Sequence, residues 1–159
     1  MDRLIALLKE NARISLEDAA LQLDMSPEEV ATALENLEGA GVIRAYQAIV
    51  NEDKLEADQV TAVIEVKVTP EREGGFDHIA SRICRYPEVT SMYLMSGQYD
   101  LMLFVEGPDL RTVATFVSAR LSSIPGVTGT ATHFRLKTYK HHGVLMEQDQ
   151  AHERLQVSP

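Results

Sequence analysis

The chain has 159 residues, of which 45% are hydrophobic and 25% are charged, and its formal net charge is −9. This composition predicts one or two folded domains and excludes disorder throughout. No run of about 18 apolar residues is present, so we expect neither a transmembrane helix nor a membrane partner. Charges interrupt the N-terminal apolar stretch, which argues against a signal peptide. A single cysteine, Cys84, fits a reducing cytoplasm, and the acidic balance argues against nonspecific nucleic-acid binding.

The first 43 residues predict three short helices. Apolar residues recur at helical spacing in each of them, which is typical of a small bundle. Ser15 is placed to cap the second helix, and Ser26 caps the third, with Pro27 at the first helical position. Gly39 ends the third helix. Two helices joined by a tight turn, the second opened by a serine cap, indicate a helix-turn-helix.

The segment after this bundle predicts a domain boundary. Residues 42–50 are rich in β-branched and aromatic side chains and predict a linker strand. Residues 51–58 are polar and charged, as expected of a connector. We therefore divide the chain into a helix-turn-helix domain at 1–43, a linker at 44–58, a second folded domain at 59–143 and a polar tail at 144–159.

The second half predicts the order β-α-β-β-α-β of a ferredoxin-like fold, and hence an α+β protein overall. The predicted strands and helices lie at 60–68, 75–86, 88–96, 99–106, 110–124 and 127–139. A shift of 38 residues places Pro70 on Pro108 and Pro87 on Pro125, so proline marks matching boundaries in two similar halves. The second helix is expected to direct five apolar side chains inward: Leu110, Val113, Ala114, Val117 and Leu121. Cys84, beside the apolar face of the first helix, is expected to be a small core residue.

The strand at 99–106 is apolar on both faces. Leu101 and Leu103 alternate with Met102 and Phe104. Because two helices cover only one face of a four-stranded sheet, the other face would expose an apolar patch. We expect a second copy of the sheet to cover it in a homodimer, and the alternative is that the N-terminal helices fold back over it.

No catalytic, metal-binding or cofactor-binding constellation is apparent, and we predict neither an enzyme nor a resident cofactor. The most informative segment is Ser96-Gly97-Gln98-Tyr99-Asp100, between two predicted strands. Its backbone groups, with the Ser96 and Asp100 side chains, are suited to both ends of a zwitterion such as an amino acid. The alternative is an ordinary hairpin turn in which Asp100 accepts hydrogen bonds from its own backbone.

Four segments together resemble the Lrp/AsnC family, also called feast/famine regulators. RISLEDAALQLDMSPEEV is similar to the family's helix-turn-helix, and LEGAGVIRAYQAIV to the segment that enters its linker strand. SGQYDLMLFVE resembles the Gly-x-Tyr-Asp turn and following strand, and THFRLKTYK the closing strand. The resemblance covers residues 1–143.

The resemblance implies a winged helix-turn-helix joined to a ferredoxin-like effector domain. It implies a transcriptional regulator that forms homodimers, often assembled into octamers, and that senses amino acids or similar metabolites. The corresponding effector-binding residues are Ser96, Gly97, Tyr99, Asp100, Thr130 and Thr132. The corresponding DNA-binding residues are Ser26, Thr32, Ala33, Asn36 and Arg44.

The predicted recognition helix departs from the family in its charge. Where family members usually carry arginines, this chain has Thr32, Ala33 and Asn36, and residues 26–38 contain four glutamates and no Lys or Arg. Residues 1–50 hold four basic against nine acidic residues, a net charge of −5. Since phosphate neutralisation supplies most nonspecific DNA affinity, two alternatives stay open. One is an effector-binding co-regulator whose helix-turn-helix does not bind DNA; the other, more remote, is an enzyme similar to tetrapyrrole decarboxylases.

Overall fold

The computed structural model describes residues 2–55, 59–70 and 75–147. Its chain divides into two compact units, residues 1–50 and residues 51–159. No helix among the described residues is long and apolar enough to cross a membrane.

The first unit contains the three predicted helices, α1 (Asp2–Glu10), α2 (Leu16–Leu23) and α3 (Pro27–Gly39). Both predicted serine caps are confirmed. Ser15 Oγ accepts the N–H of Asp18 at 3.0 Å and opens α2. A small apolar core joins the helices, and its buried members are Leu4, Ala19, Ala20, Val30 and Leu37.

The predicted linker strand at 42–50 is wrong. The structure gives this segment no regular secondary structure, and only a short 3-10 turn, Glu52–Lys54, follows it. The β-branched composition favours an extended backbone, but a strand also needs a hydrogen-bonding neighbour. None of the described strands pairs with these residues.

The second unit has the predicted β-α-β-β-α-β order. Its elements are β1 (Val60–Val68), α4 (Asp77–Ile83), β2 (Val89–Leu94), β3 (Leu101–Gly107), α5 (Leu110–Thr115, continued as a π-helical segment over Phe116–Leu121) and β4 (Val127–Phe134). The strands form one antiparallel sheet in the order β2-β3-β1-β4, which is the ferredoxin-like arrangement. The predicted fold of this half is therefore confirmed. Strand β4 is shorter than predicted, ending at Phe134 rather than at residue 139.

The two faces of the sheet differ in burial. Ile64 on β1 lies opposite Leu103 on β3, and both are fully buried beneath the helices. Val63 lies opposite Phe104 on the other, open face, where both side chains stay half-buried. Strand β3 is therefore apolar on both faces, as its sequence predicts.

Two expectations about the helices are wrong. Leu110 is 55% exposed and Ala114 is exposed, whereas Phe116 joins the buried face. Phe116 lies where the backbone changes to π-helical winding, which alters the spacing of inward side chains from that residue on. Leu110 and Ala114 lie before this change; Leu110 is the first residue of the helix. Cys84 is exposed because it lies at the C-cap of α4, one residue past the buried Ile83.

The predicted polar tail begins too early. A two-stranded hairpin, β5 (Lys140–His141) and β6 (Val144–Leu145), crosses the boundary set at residue 144. Met146 is 8% exposed, and its carbonyl accepts a hydrogen bond from Asn51 Nδ2 at 2.7 Å. Apolar residues at 144–146 thus belong to the folded unit. The rest of the predicted tail, residues 148–159, lies outside the described residues.

Candidate functional sites

The first candidate site is the outward face of α3. Its N-terminus is fixed by a capping box, in which Ser26 Oγ accepts the N–H of Glu29 at 3.2 Å and Glu29 Oε2 accepts the N–H of Ser26 at 2.7 Å. Residues on one side of α3, including Val30 and Leu37, are buried in the helical core. The opposite side is exposed, and its side chains are Glu28, Glu29, Thr32, Glu35 and Asn36.

The structure divides the five predicted DNA-binding residues into different environments. Thr32 and Asn36 lie together on the exposed face, but Thr32 Oγ1 donates to its own helix, to the carbonyl of Glu28 at 2.9 Å. Ala33 is half-buried and packs against the helical core. Ser26 serves the capping box, and Arg44 follows the helix as an exposed side chain. The side-chain donors of Asn36 and Arg44, like the hydroxyl hydrogen of Ser26, are used by no hydrogen bond within the described chain.

The end of α3 is tied to the linker. Tyr46 Oη donates to Glu38 Oε1 at 2.8 Å, and this hydrogen bond raises the pKa of Tyr46. A Cβ atom at Gly41, which has φ +69°, would lie 3.2 Å from Arg44 Nη1. The Arg44 side chain therefore folds back over the turn that follows the helix.

The second candidate site is the loop from Ser96 to Asp100, which joins β2 to β3. Gly97 has φ +142°, and the loop closes where the N–H of Met95 donates to the carbonyl of Asp100 at 2.8 Å. Ser96 and Gly97 are exposed, whereas Tyr99 is half-buried. The loop thus presents backbone groups to solvent at one end of the sheet.

Asp100 fixes this loop to the neighbouring strand. Its N–H donates to the carbonyl of Val66 at 3.1 Å, and its Oδ2 accepts the N–H of Val68 at 2.8 Å. The carboxylate therefore binds the backbone of β1. The simple hairpin alternative expected it to accept hydrogen bonds from its own turn instead. Within the described chain its second oxygen, Oδ1, accepts no hydrogen bond and stays available to a ligand.

Thr130 and Thr132 lie on the other side of β1. They are opposite Val66 and Ile64 in the register, and both are half-buried on the helix-covered face. Because β1 separates β3 from β4, Asp100 and Thr130 are about 10 Å apart across the sheet. The structure brings Asp100 and Thr130 to the two sides of Val66, with Thr132 about 7 Å further along β4.

A polar cavity of about 210 Å³ lies at the opposite end of the sheet, where β1 begins and β4 ends. Arg135 spans it, donating to Thr61 Oγ1 at 2.8 Å and pairing with Glu52. Thr61 is the one buried polar residue in the described part of the chain. Sequence reasoning missed this cluster, because only the folded connector brings Glu52 beside Arg135.

No group of three or more His, Cys, Asp or Glu side chains among the described residues is arranged to hold a metal ion.

Two family models match separate parts of the chain. A winged helix-turn-helix DNA-binding model matches residues 3–44, and the Lrp/AsnC ligand binding domain model matches residues 61–145. The first match covers α1 to α3, and the second covers the whole sheet. Each candidate site therefore lies within one of the matched regions.

Relatives cover almost the whole chain. An uncharacterised HTH-type transcriptional regulator of Bacillus subtilis, YugG, is 44% identical over 157 residues, which cover 98% of this chain and 95% of the relative. The proline dehydrogenase transcriptional activator of Rhizobium radiobacter is 26% identical, covering 89% and 90%. A solved transcriptional regulator from Neisseria meningitidis in complex with L-Met is 27% identical, with a TM-score of 0.69 and coverage of 87% and 88%.

Proposed function

The chain belongs to the Lrp/AsnC family of transcriptional regulators, and on this premise we propose that it couples amino-acid binding in the second unit to DNA binding by the first. The observation that carries the proposal is the presence of both matched domains in one chain. The DNA contacts are assigned to the exposed face of α3, with Asn36 on the helix and Arg44 after it. The proposal includes a cytoplasmic, regulatory rather than catalytic role.

The effector is proposed to be a free amino acid bound at the Ser96–Asp100 loop. The exposed backbone N–H groups around Gly97 suit a carboxylate, and Asp100 Oδ1 suits an ammonium group. Thr130 and Thr132 add hydroxyls across β1. The L-Met complex of the Neisseria relative supports an amino acid as the ligand class.

The open sheet face is proposed to form a homodimer, from which larger rings assemble. In one chain the Tyr93 and Phe104 rings meet edge to face with centroids 6.2 Å apart, and Tyr93 is still 52% exposed. Burial of this face by the same face of a second copy would remove its apolar side chains from water.

The whole proposal is tested by electrophoretic mobility shift on the DNA upstream of the protein's own gene. Binding is expected at low salt, with a changed affinity when one of the 20 standard amino acids is added. Absence of binding to that DNA in all 21 conditions would overturn the proposal. It would favour the co-regulator alternative, which the uncharged and acidic side chains of α3 support.

The effector site is tested by D100N. The amide oxygen can still accept the Val68 N–H, so the unfolding temperature should stay near that of the wild type, whereas loss of the carboxylate charge should weaken amino-acid binding about tenfold. Isothermal titration calorimetry with the amino acid found above measures the change. E106Q, which removes the charge of an acid at the far end of β3 from the loop, is the matched control. Equal affinity in D100N and E106Q would contradict the assignment of Asp100.

A further inference from the structure

The four glutamates of α3 are not equivalent. Glu29 accepts the N–H of Ser26 and completes the capping box. Glu38 accepts the hydroxyl of Tyr46 and joins the helix to the linker. Glu28 lies in the first turn, where a negative charge stabilises the helix macrodipole. These three acids therefore each stabilise the local fold.

Glu35 has no such structural role. It is exposed in the second half of the helix, and no hydrogen bond or ion pair within the described chain involves its carboxylate. A negative charge toward the C-terminal end of a helix is unfavourable to the macrodipole, and Glu38, three residues on, adds like-charge repulsion. The fold of the first unit thus gains nothing from this carboxylate.

Helix geometry places Glu35 on the exposed face of α3 to which the proposed function assigns the DNA contacts. At 100° per residue, Glu35 and Asn36 lie about 60° and 40° to either side of Thr32, within one exposed arc. The core residue Val30 lies about 160° from Thr32. A carboxylate acceptor and an amide fork therefore stand on either side of Thr32 on the outward face of α3.

These two side chains differ in how they meet the major groove. A carboxylate accepts a hydrogen bond from the N4 amino group of cytosine, and an amide pairs with adenine N6 and N7. Near phosphates, or opposite guanine O6 and thymine O4, the same carboxylate meets only hydrogen-bond acceptors. It then loses hydrating water without gaining a donor, which costs free energy. One charge therefore favours a base edge that presents an amino group, above all cytosine, because the adenine amino group lies beside the N7 acceptor. The same charge penalises alignment with guanine, thymine or phosphate.

We propose that Glu35 is a specificity-determining residue of α3, which reads a cytosine through its carboxylate and lowers affinity for nonspecific DNA through its charge. The inference rests on the proposed DNA-binding function and names the base class that this helix reads. It also accounts for an acidic helix within a DNA-binding domain, because the charge that weakens nonspecific contacts raises the ratio of specific to nonspecific binding.

The test is selection from a random duplex library by the full-length wild type, E35Q, E35D and E10Q. The wild type is expected to select a site with a required cytosine. E35Q should lose that requirement, bind nonspecific duplex more tightly, and lower the ratio of specific to nonspecific affinity about tenfold. E35D keeps the charge on a shorter side chain, so it should lose the cytosine requirement while nonspecific binding stays weak. E10Q makes the same change of net charge at the exposed end of α1 and should keep the wild-type sequence and ratio.

The outcomes separate this inference from the proposed function. If the wild type selects no sequence, the proposed DNA-binding function fails and the inference fails with it. If the wild type selects a site that E35Q also selects with an unchanged ratio, the inference alone is overturned. An equal rise in nonspecific affinity for E35Q and E10Q would overturn the claim that the position of this charge matters. Circular dichroism spectra of the four proteins should superimpose, since both substituted positions are exposed.

Discussion

Asp109 shows how one exposed carboxylate contributes to the second unit. Its Oδ1 accepts the N–H of Thr112 at 2.7 Å and caps α5. This hydrogen bond lowers the pKa of Asp109, so the charged form favours the folded state. The contribution is complete above the ordinary carboxyl pKa and is lost as the pH falls through the lowered one. We expect D109A to unfold at a lower temperature than the wild type at neutral pH, with the gap narrowing below about pH 4.

The variant D109N is the control for this cap. Its amide oxygen can still accept the N–H of Thr112, but the side chain does not titrate. The difference between D109N and D109A in thermal unfolding should therefore stay nearly constant with pH. A gap between the wild type and D109A that is the same at neutral pH and about pH 3 would show that the charge does not strengthen the cap.

Among the secondary-structure elements, the predictions were correct where interactions between residues close in sequence determine the element. Ser15 and Ser26 cap helices because each bonds a backbone N–H three residues away, which the sequence alone shows. The linker at 42–50 was not predictable in this way, because its extended composition gives no strand without a neighbour. The burial of Phe116 was not predicted, because this residue lies where the backbone of α5 changes to π-helical winding.

The candidate effector loop was predictable in position but not in connectivity. Gly97 and the flanking apolar strands identify the turn, and the structure confirms a hairpin there. The tie from Asp100 to the Val68 N–H joins residues 32 positions apart and follows from the register of β1 against β3. Since that register is set by packing of the whole sheet, no local pattern indicates it.

The residue after the C-terminal hairpin, Met146, contacts the connector before β1. Met146 is buried and its carbonyl accepts a hydrogen bond from Asn51, whereas the neighbouring Leu145 is 62% exposed. M146A should lower the free energy of unfolding of the second unit by about 2 kcal/mol, because it removes buried apolar volume. Urea denaturation followed by circular dichroism measures the change.

Leu145 provides the matched control for that substitution. L145A removes a similar apolar side chain from an exposed position, so its effect should stay within about 0.5 kcal/mol. A loss of unfolding free energy in M146A as small as the loss in L145A would show that Met146 does not contribute to the stability of the folded unit.

For the whole molecule, charge and apolar surface are distributed in different ways. The net charge of −9 divides into −5 for residues 1–50 and −4 for residues 51–159, so the DNA-binding unit carries more negative charge on fewer than a third of the residues. The second unit instead combines apolar side chains on its open face with charges of both signs, which are Lys67, Glu106 and the pair in which His133 Nε2 lies 3.5 Å from Glu65 Oε1. Per residue, the second unit therefore carries less net negative charge than the first. Electrostatic repulsion between two copies is weaker when they meet through the sheet, and this favours assembly through the sheet.

The proposed sheet-to-sheet dimer is tested by F104D. Phe104 lies half-buried at the middle of the open face, so the monomer should keep its fold, but an aspartate there would place an unpaired charge inside the interface. A penalty of at least about 3 kcal/mol corresponds to a dimer dissociation constant more than about 100-fold higher than that of the wild type, which sedimentation equilibrium measures. L110D makes the same change at an exposed position of α5 on the helix-covered side and should leave association unchanged. A wild type that remains monomeric at high protein concentration would contradict this interface. An F104D variant that associates as tightly as L110D would also contradict it, because the two substitutions differ in whether they lie on the open face.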